Sequence, residues 1–141
     1  MTDINTIPQR PVPEKSRVAT PFWNAMRENK FLIQKCNSCK NYVFYPRIRC
    51  PHCFSDNLDW EEASGKGTVY SYTTVLNNAP SGFINEMPYT VAIIRLAEGV
   101  QMLSNIVGCD PHEVECDMPV EVVFEKLNDE VTLPKFKPAK T

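Results

Sequence analysis

The residues best equipped for chemistry are four cysteines in the arrangement Cys36-x2-Cys39-x10-Cys50-x2-Cys53. Each CxxC turn presents two thiolates from one knuckle, because backbone N–H groups there can donate to sulfur while both side chains converge. Two knuckles make a closed tetrahedral S4 site for one metal ion. With every coordination position taken by protein, the metal holds the fold and offers no position to water or substrate. Zn2+ is the preferred ion because nothing else in the sequence points to electron transfer; the spacing alone also fits iron in a rubredoxin-like site. His52 lies inside the second knuckle, where ligation would distort the turn, and reads as an exposed bystander.

The other two thiols, Cys109 and Cys116, lack metal-ligand spacing, and His112 between them raises the question of a Cys-His nucleophile. The surrounding DPHEVECD is acidic, and carboxylates raise a thiol pKa where a nucleophile needs it lowered. An acidic loop or turn of helix between strands is the better reading. The chain also has no GxSxG, P-loop or GxGxxG pattern. No catalytic residue is assigned, and the chain is not expected to be an enzyme by itself.

Three stretches must position the metal site and whatever binds beside it: an extended arm and short helix over 1–30, the zinc ribbon over 31–62, and a five-stranded OB-type barrel over 63–141. The arm carries Pro8, Pro11 and Pro13 and little that could form a core. Thr20 stands where an N-cap would and Pro21 at the first helical position, so a short helix is predicted over PFWNAMRENK, ending near Asn29. A helix this short needs its aromatic face buried. Phe22, Trp23 and Met26 are expected either to pack on the ribbon or barrel or to contact a partner.

FLIQKCNSCKNYVFYP reads as strand, knuckle, strand, and 57–62 as a third strand. From Gly67 onward five β-runs follow: GTVYSYTTVL, PYTVAIIRL, VQMLSNIV, PVEVVFEKL and VTLPKF. The fourth alternates most clearly, with Val120, Val122 and Phe124 opposed to Glu121 and Glu125. Glu98-Gly99 gives a hairpin between the second and third, and 77–87 is the longest irregular connection. The expected class is therefore mainly β, with five strands in the space of an OB barrel.

Charge separates the two halves. Residues 1–60 carry nine Lys/Arg against five Asp/Glu, whereas 61–141 carry six against twelve, giving +4 and −6. A nucleic-acid-binding zinc-ribbon/OB-fold module is the alternative function, supported by Lys35, Lys40, Arg47 and Arg49 around the ribbon. The acidic barrel half opposes it, since phosphate binding needs a basic surface. No apolar run reaches bilayer length and the N-terminus is polar, so no membrane role is expected and the cytoplasm is the default compartment.

PFWNAMRENKFLIQKC, the knuckles CNSC and CPHC, SGKGTVYSYTTV, EMPYTVAIIRL, DMPVEVVFE and TLPKFKPA together make the chain resemble a known family. It is similar, from about Pro21 to Pro138, to the acyl-CoA-associated OB-fold proteins with an N-terminal rubredoxin-like zinc ribbon, long catalogued as a domain of unknown function. The resemblance implies a small non-catalytic partner of a thiolase-superfamily subunit, in a hetero-oligomer that handles acyl-CoA. Relatives of that kind accompany acetoacetyl-CoA thiolase and hydroxymethylglutaryl-CoA synthase, benzoylsuccinyl-CoA thiolase and steroid side-chain aldolases. One departure is Phe54, which stands after the last cysteine where the family often has glycine.

Coenzyme A needs a stacking surface for adenine and cations for phosphates. In the acidic half, Phe136 between Lys135 and Lys137 is the best local match, with Tyr72 and Tyr89 as further stacking candidates. The ordinary alternatives are a solvated terminal strand for the first group and cross-strand packing for the tyrosines.

Overall fold

The computed structural model describes residues 16–77 and 87–139. The first fifteen residues of the proline-bearing arm and positions 78–86 of the long connection lie outside the described residues. Helix α1 spans Thr20–Arg27, and eight strands follow: β1 Leu32–Cys36, β2 Tyr42–Val43, β3 Leu58–Glu62, β4 Lys66–Val75, β5 Tyr89–Leu96, β6 Gln101–Ile106, β7 Pro119–Lys126 and β8 Thr132–Pro138. Among the described residues the fold is mainly β with one short α-helix.

The helix begins one residue earlier than Thr20 as an N-cap would allow: Thr20 is itself helical. No side chain caps it; the preceding turn accepts the first N–H groups, with the Ala19 N–H donating to Ser16 O at 3.1 Å and the Thr20 N–H to Arg17 O at 3.3 Å. The end falls close to where it was expected. The N–H groups of Glu28 and Lys30 donate to Ala25 O, and Asn29 adopts φ 59°, the left-handed conformation in which asparagine closes a helix.

β2, β1 and β3 form an antiparallel sheet, with Gln34 opposite Val43 on one side and Trp60 on the other. The remaining strands close a barrel in the order β4-β5-β6-β8-β7, the sequence of neighbours of an OB fold. All its pairings are antiparallel except β6 with β8, which meet in parallel at one rung, Ile106 opposite Phe136. Gly67 is placed by that tightness, since a Cβ there would come within 2.5 Å of the Arg95 carbonyl on β5.

Ribbon and barrel share one core. Phe22 and Met26 of α1 and Phe31 and Ile33 at the start of the ribbon cluster with Val69, Ile94, Val120 and Phe136 of the barrel. Phe31 bridges the halves, its ring 6.4 Å from that of Phe136 and 6.0 Å from that of Phe22. Phe22 and Met26 thus supply core packing, and the expectation that they face a partner is corrected: an amphipathic helix of two turns gains stability only by burying that face. Trp23 alone among the three remains half-buried.

Phe136 is 0% exposed and central to the shared core. Phe136→Ala is expected to destabilise the chain by about 3–5 kcal/mol, the range for emptying a buried aromatic site. Denaturant unfolding followed by tryptophan fluorescence checks this, and a loss below 1 kcal/mol would contradict the shared core.

Candidate metal centre and the barrel seam

The two knuckles are built alike. In the first, the Cys39 N–H donates to Cys36 Sγ at 3.5 Å and Lys40 N–H to Cys36 O at 2.9 Å. In the second, the His52 N–H donates to Cys50 Sγ at 3.3 Å and Phe54 N–H to Cys50 O at 2.8 Å. Each turn closes on a left-handed residue, Lys40 at φ 67° and Phe54 at φ 66°. The four sulfurs lie within 4.8 Å of one another, with Cys36 to Cys53 at 3.5 Å and Cys39 to Cys50 at 3.6 Å. A tetrahedral ion with Zn–S bonds of about 2.3 Å requires sulfurs roughly 3.8 Å apart, so the cage fits zinc. No disulfide joins any of the six cysteines.

The electrostatics of the cage call for a cation. Cys36 is lowered to about 6, first by the Cys39 N–H, against burial and with help from the Ser38 N–H and neighbouring thiols. At Cys53 the Ser55 N–H pulls downward, but burial and the other three sulfurs outweigh it and push the thiol up to about 12. One thiolate forms readily and the last is resisted by those already present; a dication removes that conflict. His52 contributes only its backbone N–H and is exposed.

Buried Gln34 on β1 is the residue that sequence reasoning missed. Its side-chain amide donates to Arg47 O at 2.9 Å and accepts from the Arg47 N–H at 2.7 Å, holding the segment that leads into the second knuckle. A single glutamine in an alternating strand gave no signal of this.

The second feature is the seam where β6 and β8 meet at one rung. Tyr45, from the loop after β2, accepts a hydrogen bond from the Leu103 N–H at 3.0 Å, and the Ser104 hydroxyl donates to Pro134 O at 2.8 Å. Over the seam lies a mainly apolar groove of about 350 Å³ that includes Trp23, Tyr45, Met102, Leu103 and Leu133. At one end, Asn105 and Lys135 also line a smaller cavity of about 210 Å³ beside Tyr89 and Cys109.

The proposed CoA residues do not converge. Phe136 is in the core and cannot stack an adenine, because strand alternation turns its ring into the barrel. Lys135 is 8% exposed and ion-paired with Glu125; Lys137 is exposed and 3.5 Å from Glu121. Tyr72 lies opposite Ala92 and Tyr89 opposite Val75, three rungs apart. Cys109 lacks the electropositive surroundings that activate a thiol: burial, then Glu113 and Asp110, raise its pKa. The loop around it is a short 3-10 turn, Pro111–Glu113, capped by Asp110.

A four-cysteine ribbon joined through a common core to a five-stranded closed barrel defines a zinc-ribbon/OB-fold protein. Two family models match in succession: "ChsH2, rubredoxin-like zinc ribbon domain" over residues 23–59 and "ChsH2, C-terminal OB-fold domain" over 60–125. A DUF35 domain-containing scaffold protein of Methanothermobacter thermautotrophicus is 42% identical over 68% of this chain and 72% of its own length. A probable enoyl-CoA hydratase alpha subunit of Thermomonospora curvata is 38% identical over 92% of this chain, which spans 40% of that relative's length. Among solved structures, a chain of an Ltp2-ChsH2(DUF35) aldolase superposes with a TM-score of 0.81 at 37% identity, covering 90% of this chain and 98% of that one. The chain belongs to the DUF35 family of zinc-ribbon/OB-fold proteins.

Purified protein is expected to carry about one zinc per chain, measured by elemental analysis against protein concentration. Cys36→Ser or Cys53→Ser should abolish stoichiometric binding and unfold the ribbon, whose own buried cluster is only Cys36, Val43 and Cys50. A folded, zinc-free and iron-free wild type would contradict this.

Proposed function

We propose that the chain is a non-catalytic accessory subunit of an acyl-CoA-processing enzyme of the thiolase superfamily, with the S4 zinc serving structure alone. The observation that carries the accessory-subunit reading is the match to nearly the whole of one chain in the Ltp2-ChsH2(DUF35) aldolase; the thiolase superfamily of the partner comes from the family resemblance of the sequence alone. The scaffold names of the archaeal relatives support the non-catalytic part; the names of two hydratase alpha subunits, of whose length this chain spans 40% and 37%, support acyl-CoA chemistry in the assembly. The structure is consistent with it: the four thiolates leave the metal no open position, and the half-buried Cys109 is deactivated by its surroundings. No helix among the described residues is long and apolar enough to cross a membrane, and a cluster of cysteines serving as metal ligands suits a reducing cytoplasm.

The same reading gives the seam groove to the apolar part of an acyl-CoA at a site shared with the partner. Phosphate contact then falls to Lys137, whose exposed ammonium a phosphate can share with Glu121. Lys135, its charge taken by Glu125, borders the groove rather than reaching for phosphate.

Co-expression with the acyl-CoA enzyme subunit that co-purifies with the native chain, followed by size exclusion, is expected to give a stable hetero-oligomer. The isolated chain should show no thiolase, aldolase or hydratase turnover. In the complex, Lys137→Ala should weaken CoA affinity by about 1–3 kcal/mol in calorimetry and leave assembly intact. Failure to assemble sinks the accessory role; unchanged CoA affinity sinks only the phosphate contact.

A further inference from the structure

Residues 29–55 carry Lys30, Lys35, Lys40, Arg47 and Arg49 and not one Asp or Glu. Lys30 and Lys35 lie within 4.0 Å of Glu28 and Glu61 from outside that stretch. Arg47 and Arg49 form no ion pair among the described residues. Between and beside them stand two large apolar side chains facing solvent, Ile48 at 76% exposed and Phe54 at 73%. Together with Val18, Pro46 and Pro51 they surround a shallow depression next to the second knuckle.

Phe54 is unfavourable there on two counts. Its ring is left in water, and its backbone is at φ 66°, where a bulky L-residue is strained and glycine is not. Folding alone gains nothing from a phenylalanine at this position, and residues held in such strain cluster at functional sites. The patch is also held rigid. The Arg49 guanidinium lies 5.0 Å from the Phe54 ring centroid and donates to Phe54 O at 3.3 Å. Gln34 fixes the Arg47 backbone through both of its polar groups, and Cys50 is anchored in the metal cage. Aromatic and arginine side chains presented in a preorganised cluster are the composition of a protein-binding hot spot.

We propose that Arg47, Ile48, Arg49 and Phe54 form the docking face for the enzyme subunit, which meets them with an apolar pocket rimmed by Asp and Glu. This rests on the accessory-subunit reading above. The chemistry favours a protein over a nucleic acid: Ile48 offers no stacking surface, Arg49 lies over one face of the Phe54 ring, and the barrel half carries −6.

The test uses the full chain and the co-purifying enzyme subunit, with the dissociation constant measured at several salt concentrations. Phe54→Gly relieves the strained backbone, so the free chain should melt at the wild-type temperature or a few degrees above it, while partner affinity falls by at least about tenfold. Arg47→Glu combined with Arg49→Glu should weaken binding by at least about tenfold and flatten its salt dependence. Should Phe54→Gly melt lower, the arginine pair decides. Wild-type affinity in either variant that keeps the wild-type melting temperature overturns the docking face while leaving the accessory role standing; absence of any complex in the wild type overturns both. Steeply salt-dependent binding of a (dT)20 oligonucleotide that the arginine variant loses would overturn it in favour of a nucleic-acid face.

Discussion

Four sulfurs crowded into one cage are the constraint on which the N-terminal half depends. Without a cation, later deprotonations are opposed by the thiolates already formed, and burial adds to that resistance at Cys53. The ribbon has little else to hold it: three short strands and a cluster of Cys36, Val43 and Cys50. What it cannot bury internally it buries elsewhere. Phe31, just before β1, and Ile33, within it, turn their side chains into the core shared with α1 and the barrel, so the metal indirectly braces the packing around Phe136.

Much of this was legible because it is encoded locally. Cysteine spacing defined the knuckles, and alternation in PVEVVFEK together with the glycine at the Glu98-Gly99 turn placed strands where they are found. The family resemblance likewise needed only short motifs read in order. What failed was long-range. Lys135-Phe136-Lys137 looked like a cationic hook because nothing in the string says that β8 is flanked by β6 and β7, which turns Phe136 inward and gives each lysine a glutamate on β7. Phe22 and Met26 were ambiguous for the same reason: amphipathicity shows that a face must be covered, without naming the cover.

The seam illustrates how the two halves complete one another. β6 and β8 meet at a single rung, and the gap is bridged by side chains: Tyr45 from the ribbon loop on Leu103 N–H, Ser104 on Pro134 O. The groove over it is therefore walled by α1, the ribbon loop and the barrel together. Neither half alone would form that surface, which gives a physical reason for the ribbon and OB barrel to occur as a pair.

A core that runs unbroken from α1 through the ribbon into the barrel also removes the hinge that separate modules joined by a linker would have. Gly65, at φ 76° in the short passage from β3 to β4, is packed against Val122, and a Cβ there would meet Val122 Cγ1 at 2.6 Å, so the passage is seated rather than swivelling. The chain consequently behaves as a ruler. A body docked at the knuckle end would sit at a distance and angle from anything resting on the barrel that the shared core sets.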